Sequence, residues 1–150
     1  MELVYAAEKD LDAVYDLVCR LENKTIARAP FDAAFLRNIT DESIVYLLAV
    51  EEGAVLGFAS LHIQFLLHHA GAVGEIQEII VDEACRGRGL GKILFQRLKE
   101  IAEEKDCVLL EVCCNQARTA SHPFYISQGT KNTHYKFTLP IVGAGCAVEA

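Results

Sequence analysis

No apolar run in the 150 residues approaches the roughly 20 that a helix needs to cross a bilayer. The opening stretch, MELVYAAEKD, has no basic segment leading into an apolar one, so the expectation is no secretory signal and a cytoplasmic location. Positive charge is scarce: 14 Lys and Arg stand against 21 Asp and Glu, a net charge of −7 at pH 7. An acidic surface repels polyanions at long range, which excludes broad binding to nucleic acid or anionic membranes. One small anion held in a local basic pocket remains compatible with it. The six cysteines (Cys19, Cys85, Cys107, Cys113, Cys114 and Cys146) form no pair of C-x-x-C knuckles. No structural zinc is expected, and the thiols read as reduced, small, packed side chains. Internal repeats, low-complexity stretches and interdomain linkers are absent too.

What is present suits one globular domain: 52% hydrophobic and 23% charged residues can build a core without disulfide staples. A short strand is expected near Leu3–Ala6. Leu11, Val14, Tyr15, Val18 and Leu21 then recur at helical spacing behind Asp10, a plausible N-cap. Pro30, Phe31, Ala34, Phe35 and Ile39 suggest a second, shorter helix. Two apolar runs rich in Val, Ile, Leu and aromatic residues, Ser43–Val50 and Ala54–Leu66, flank Glu51-Glu52-Gly53 and read as a hairpin. A strand over Val73–Asp82, an amphipathic helix from Leu90 and a buried strand over Cys107–Cys114 form a βαβ unit with parallel pairing. Pro123 fits the first turn of a short helix running from Ser121 to Gly129. His134–Leu139 is expected to close the sheet as a last strand. The domain is drawn as residues 1–139, with the tail from Pro140 frayed and its apolar positions available to a homodimer.

The sharpest feature is Arg86-Gly87-Arg88-Gly89-Leu90-Gly91-Lys92, after a strand and at the start of a helix. The first helical N–H groups have no intrahelical partner, and the helix dipole is positive at that end. With glycines admitting a close approach, the turn makes a pyrophosphate cradle. The dipole alone contributes only about 1 kcal/mol to an exposed charge, so several N–H bonds and Arg86, Arg88 and Lys92 must share the task. A P-loop is excluded because Ile93 follows Lys92 where Ser or Thr is required. A dinucleotide fingerprint fails because no third glycine stands at the required place.

R-G-x-G-[LIV]-G following Ile79-Ile80-Val81-Asp82 resembles the signature of the GNAT acetyltransferase superfamily, and Phe124-Tyr125-Ile126-Ser127-Gln128-Gly129 resembles its F-Y-x-x-x-G phrase. Thr130 departs from it, standing where an aromatic residue is usual. Longer phrases are similar to the aminoalkylphosphonate N-acetyltransferases: Leu61 to His69, Gly74 to Ile79, Ser121-His122-Pro123-Phe124-Tyr125 and His134-Tyr135-Lys136-Phe137-Thr138. The resemblance implies an α/β fold, a mixed and mostly antiparallel sheet of six or seven strands, flanking helices and a central parallel βαβ unit. It implies acetyl-CoA as cosubstrate, with the backbone of Ile79, Ile80 and Val81 pairing with pantetheine and the loop from Arg86 to Lys92 holding the pyrophosphate. The implied acceptor is the primary amine of a small molecule, foremost an aminoalkylphosphonate. Another small amine, a peptide or protein amine, and a CoA-binding sensor without turnover stay open as alternatives.

An amine with a pKa of about 10.4 costs roughly 4.6 kcal/mol to deprotonate at pH 7, so a general base is expected. Glu75 and Glu78 precede the loop, and strict alternation puts them on opposite faces unless a bulge intervenes. The resemblance favours Glu75 as base, six positions before Val81, with Glu78 as runner-up and candidate substrate contact. Tyr125 matches the family's acid that protonates the departing thiolate. Asn115 is a candidate for a pantetheine amide, although loop asparagines often only stabilise turns. His62 is a candidate acceptor contact. With His68 and His69, it reads more readily as a polar cluster at a strand end. The resemblance leaves room for a divalent cation, but no metal-ligand spacing is present and none is assigned.

Overall fold

A computed structural model describes residues 1–141. Two compact units make up the chain, Met1–Val112 and Cys113–Ala150. The first contains β1 (Glu2–Tyr5), α1 (Leu11–Glu22), α2 (Arg28–Asn38), β2 (Ile44–Glu51), β3 (Ala54–Leu66), β4 (Gly71–Val81), α3 (Leu90–Glu104) and β5 (Leu109–Val112). The strands lie in chain order, antiparallel from β1 to β4, with β5 parallel to β4. The fold is therefore the expected mixed, mostly antiparallel α/β arrangement. Among the described residues no helix is long and apolar enough to cross a membrane.

Helical spacing decides what covers the sheet. Val14, Leu17 and Val18 of α1 join Phe35 of α2 and Leu48, Phe58 and Ile80 of the strands in one buried cluster. Residues of opposite parity face α3, which buries Leu90, Leu94, Leu98 and Ile101. A Cβ built on Gly74 would lie 3.6 Å from the Ala102 Cβ and 3.1 Å from Leu61, which places Gly74 on the α3 side. Asp10 does precede α1, but its carboxylate accepts from the Ala7 N–H at 2.8 Å and makes no bond to the helix. Asn23, left-handed at φ 53°, ends that helix; Lys24 N–H returns to the Cys19 carbonyl at 3.1 Å. The β2–β3 turn has positive φ at Glu52 and Gly53, the hairpin geometry that matches strand twist.

Five strands form among the described residues, where six or seven were expected. The missing one is His134–Leu139, which has the right alternation but takes no strand pairing. Tyr135, Phe137 and Leu139 are 82%, 92% and 82% exposed. Alternation selects which side a strand would bury, but a strand also needs a backbone partner, and this segment finds none among the described residues. In consequence the parallel β4–β5 pair lies at one end of the described sheet and not at its centre. The second unit holds α4 (His122–Ser127), with Pro123 in its first turn and Gly129 at φ 91° beyond its end, as the sequence suggests. The expectation of a frayed tail falls mainly on residues 142–150, outside the described residues, as does Cys146.

Candidate active site

The register between β3 and β4 breaks at the centre of the sheet. Ala59 pairs with Ile79 and Leu61 with Ile76, so Gln77 and Glu78 together oppose Ser60. That is a β-bulge, and it changes which side chains share a face. Gly74 and Ile76 point toward α3, and Glu75 therefore points toward α1 and α2. Past the bulge, Ile80 joins the α1–α2 cluster, and Glu78 shares its parity. The extra residue thus brings Glu75 and Glu78 onto one face, where strict alternation would separate them.

Side-chain contacts agree. The Ser60 hydroxyl, on a fully buried residue, donates to the Glu78 carboxylate and accepts from the Glu78 N–H at 3.1 Å. Burial is the main cause that pushes the Glu78 carboxyl above its ordinary range, with Glu22 adding to it; the Ser60 bond and the nearby His62 oppose the shift. Glu75 lies opposite His62 on β3 and Glu111 on β5. The Tyr46 ring stands 6.5 Å from His62 and 5.4 Å from Phe58, and its hydroxyl accepts from Asn38 at 2.7 Å. The face therefore carries Tyr46, Ser60, His62, Glu75 and Glu78. Tyr46 and Ser60 are not singled out by sequence reading. Their one signal is a hydroxyl on an otherwise apolar strand face.

Beside this face the sheet opens. Along β4, only Val73 to Ile76 pair with β5, which ends at Val112. Ile79, Ile80 and Val81 pair with β3 alone among the described residues, so their other backbone edge is available to a ligand with amides of its own. Asp82 then caps a single turn through the Ala84 N–H at 2.9 Å and binds Arg20 at 2.7 Å. Gly87 and Gly89 follow in left-handed conformations, φ 79° and 77°. A Cβ at either would meet nothing within 4 Å, so glycine is required by the backbone and not by crowding. The first helical bond of α3 is Ile93 N–H to the Gly89 carbonyl at 3.1 Å. Leu90, Gly91 and Lys92 thus present N–H groups without intrahelical acceptors.

The loop's cations are not equally available. Arg88 makes two bonds to Glu51, at 2.9 and 3.1 Å, and Arg86 lies 3.5 Å from Glu83. Backbone N–H groups, Lys92 and a partly engaged Arg86 are what the loop offers an anion; Arg88 serves first to tie the loop to β2. Cys85, beneath the loop, is buried.

Within the second unit, burial pushes the Tyr125 phenol up to about 12, helped by Cys114 and opposed by Arg118. Burial also raises the Cys114 thiol. Asn115 uses its Oδ1 to accept the Ala117 N–H at 2.9 Å, and its carbonyl takes Arg118 N–H at 3.0 Å, so it builds a turn. The rings of His68 and His69 lie 4.2 Å apart, tilted at 45° to one another, in a turn after β3. Among the described residues no group of three His, Cys, Asp or Glu side chains is arranged to hold a metal ion.

An unpaired edge along Ile79 to Val81, a glycine turn opening a helix and carboxylates on the adjoining face suit an acyltransferase. The chain belongs to the acetyltransferase (GNAT) family, whose model matches residues 11–129. It is 39% identical over 137 residues to the aminoalkylphosphonate N-acetyltransferase of Salmonella typhimurium, covering 91% of this chain and 89% of that one. Similarity to the glucosamine 6-phosphate N-acetyltransferase of Trypanosoma brucei brucei is 34%, over 86% and 88% of the two chains. A solved Trypanosoma brucei acetyltransferase superposes with a TM-score of 0.79 at 29% identity, covering 93% of this chain and 99% of that one. The chain is an acetyl-CoA-dependent N-acetyltransferase.

Proposed function

We propose that this enzyme acetylates the primary amine of a small molecule that also carries a phosphonate or phosphate, foremost an aminoalkylphosphonate. The observation that supports it best is the bulge opposite Ser60, which gathers Glu75, Glu78 and His62 on the face beside the open edge of β4. The two relatives named above act on acceptors with this chemistry in common, an amine and a phosphoryl anion in one small molecule.

In this reading the edge of Ile79, Ile80 and Val81 takes the pantetheine amides. The turn from Arg86 to Lys92 takes the pyrophosphate, and Asn115 contributes its amide. A carboxylate of the pair accepts the ammonium proton, directly or through one water, and the amine nitrogen attacks the thioester carbonyl. Collapse of the adduct breaks the C–S bond, and the thiolate takes a proton from Tyr125, whose raised pKa keeps it protonated at neutral pH; the second proton of the adduct nitrogen leaves to solvent water, which returns one to the phenolate. Glu78 is the better base on physical grounds, because burial brings its pKa toward the working pH. Glu75, which the sequence favours, then orients His62 and the acceptor. Transfer is direct: Cys85 is buried and burial disfavours the Cys114 thiolate, so neither thiol is an activated nucleophile. The enzyme works in the cytoplasm as a homodimer.

Thiol release from acetyl-CoA is the test, across aminomethyl- and aminoethylphosphonate, glucosamine 6-phosphate, plain alkylamines, polyamines and a short peptide. The phosphoryl-bearing amines should give the highest kcat/KM. Preference for polyamines or the peptide would overturn the acceptor class and leave the acetyl-CoA site standing.

A further inference from the structure

Next to His62 the first unit has an open pocket of about 430 Å³ between α2 and the start of β2, lined by Arg37, Asn38, Asp41, Ile44 and His62 among others. Of the six arginines in residues 1–112, five are ion-paired: Arg20, Arg28, Arg86, Arg88 and Arg97. The sixth, Arg37, has no ion pair among the described residues, and it stands in this pocket.

Its acidic neighbour is already engaged. Oδ1 of Asp41 accepts both the Ser43 N–H at 2.9 Å and the Ser43 hydroxyl at 2.6 Å. These two bonds are the main reason its carboxyl sits below the usual range, with smaller contributions from Arg37 and His62. The Arg37 guanidinium thus keeps planar donors suited to a tetrahedral oxyanion. His62 links the pocket to the carboxylates, since it acts electrostatically on Asp41 at one side and Glu78 at the other. The wall is held in place: Asn38 bonds Tyr46, and Phe35 stacks on the Tyr46 ring at 5.5 Å, fixing α2 to β2.

We infer that this pocket is the acceptor's anion subsite, with Arg37 as the residue that binds the phosphonate or phosphate while the amine lies past His62 toward Glu78. The inference deepens the function proposed above and rests on it for the identity of the acceptor. Arg37 binds the anion and takes no part in proton transfer, so its loss affects KM and not the chemical step.

Steady-state thiol release with Arg37→Ala and Arg37→Lys tests this on three acceptors: aminoethylphosphonate, glucosamine 6-phosphate and an alkylamine of matching length without the anion. For Arg37→Ala, KM for the two anionic acceptors should rise roughly 10- to 100-fold, the range of a lost charge-assisted contact. The KM values for the alkylamine and acetyl-CoA should stay constant, and Arg37→Lys should recover part of the loss. Whichever anionic acceptor shows the larger kcat/KM in wild type identifies the phosphoryl source. Equal losses on all three acceptors, or none on any, would overturn the subsite. If no phosphoryl amine is a substrate, the proposed function fails first. The subsite is then judged alone, by titrating methylphosphonate into labelled wild-type protein and following the Arg37 Nε and His62 ring signals. Saturable shifts of the His62 ring that vanish in Arg37→Ala support it, and their absence in wild type or persistence in the variant refutes it.

Discussion

Replacing Glu78 by Gln separates stability from activity because a buried carboxylate serves one at the expense of the other. Its carboxyl is easier to protonate in the fold than in the unfolded chain. Between those two pKa values the folded protein binds the extra proton, so this group's contribution to stability falls as pH rises through the window. Gln mimics the protonated form and keeps an acceptor for Ser60. Glu78→Gln should therefore melt above wild type at pH 8, with the difference vanishing below the ordinary glutamate pKa of about 4.3. Its kcat/KM should fall about 10²- to 10⁴-fold, and the acidic limb of the pH profile should flatten. Thermal melts and pH–rate profiles of Glu78→Gln and Glu75→Gln check both halves. The larger loss and the flattened limb in Glu75→Gln, with Glu78→Gln near wild type, would return the base to Glu75.

Elements differ in how much of their geometry the local sequence carries. The cofactor turn was legible because its requirements are local: Gly87 and Gly89 stand where φ is positive, and Leu90 is the first buried residue of α3. Gly89→Ala tests that link. No atom crowds the new methyl group, so the cost is backbone alone, about 1–2 kcal/mol for a left-handed alanine. The variant should lose that much stability in denaturant unfolding and raise KM for acetyl-CoA, while KM for the acceptor stays constant. An unchanged KM for acetyl-CoA would detach the turn from the cofactor. The bulge was foreseen only as a condition, since Gln77-Glu78 has no glycine or proline to mark it; the register against Ser60 of the neighbouring strand β3 decides it. Arg37 was invisible for a related reason. Its lack of an ion pair is a property of its surroundings in the fold, and an Arg-Asn pair on a short helix looks like any solvated face.

At the scale of the whole molecule, composition and packing pull on association in opposite senses. Tyr135, Phe137, Leu139 and Ile141 expose a row of large apolar side chains at every second position, from 70% to 92% exposed. A strand-like row with one apolar side and no pairing among the described residues is what a second copy would cover. Net charge of −7 on each copy opposes that contact through like-charge repulsion, which salt screens over a Debye length of about 8 Å at 0.15 M ionic strength. The proposed homodimer should thus tighten as salt rises, whereas one held by ion pairs would loosen. Sedimentation equilibrium at low and moderate salt distinguishes these cases. Phe137→Asp with Tyr135→Asp should shift the enzyme to monomer, because each replaces exposed apolar area with further negative charge. A wild-type chain that sediments as a monomer under all these conditions would remove the dimer, and the exposed row would then need another occupant.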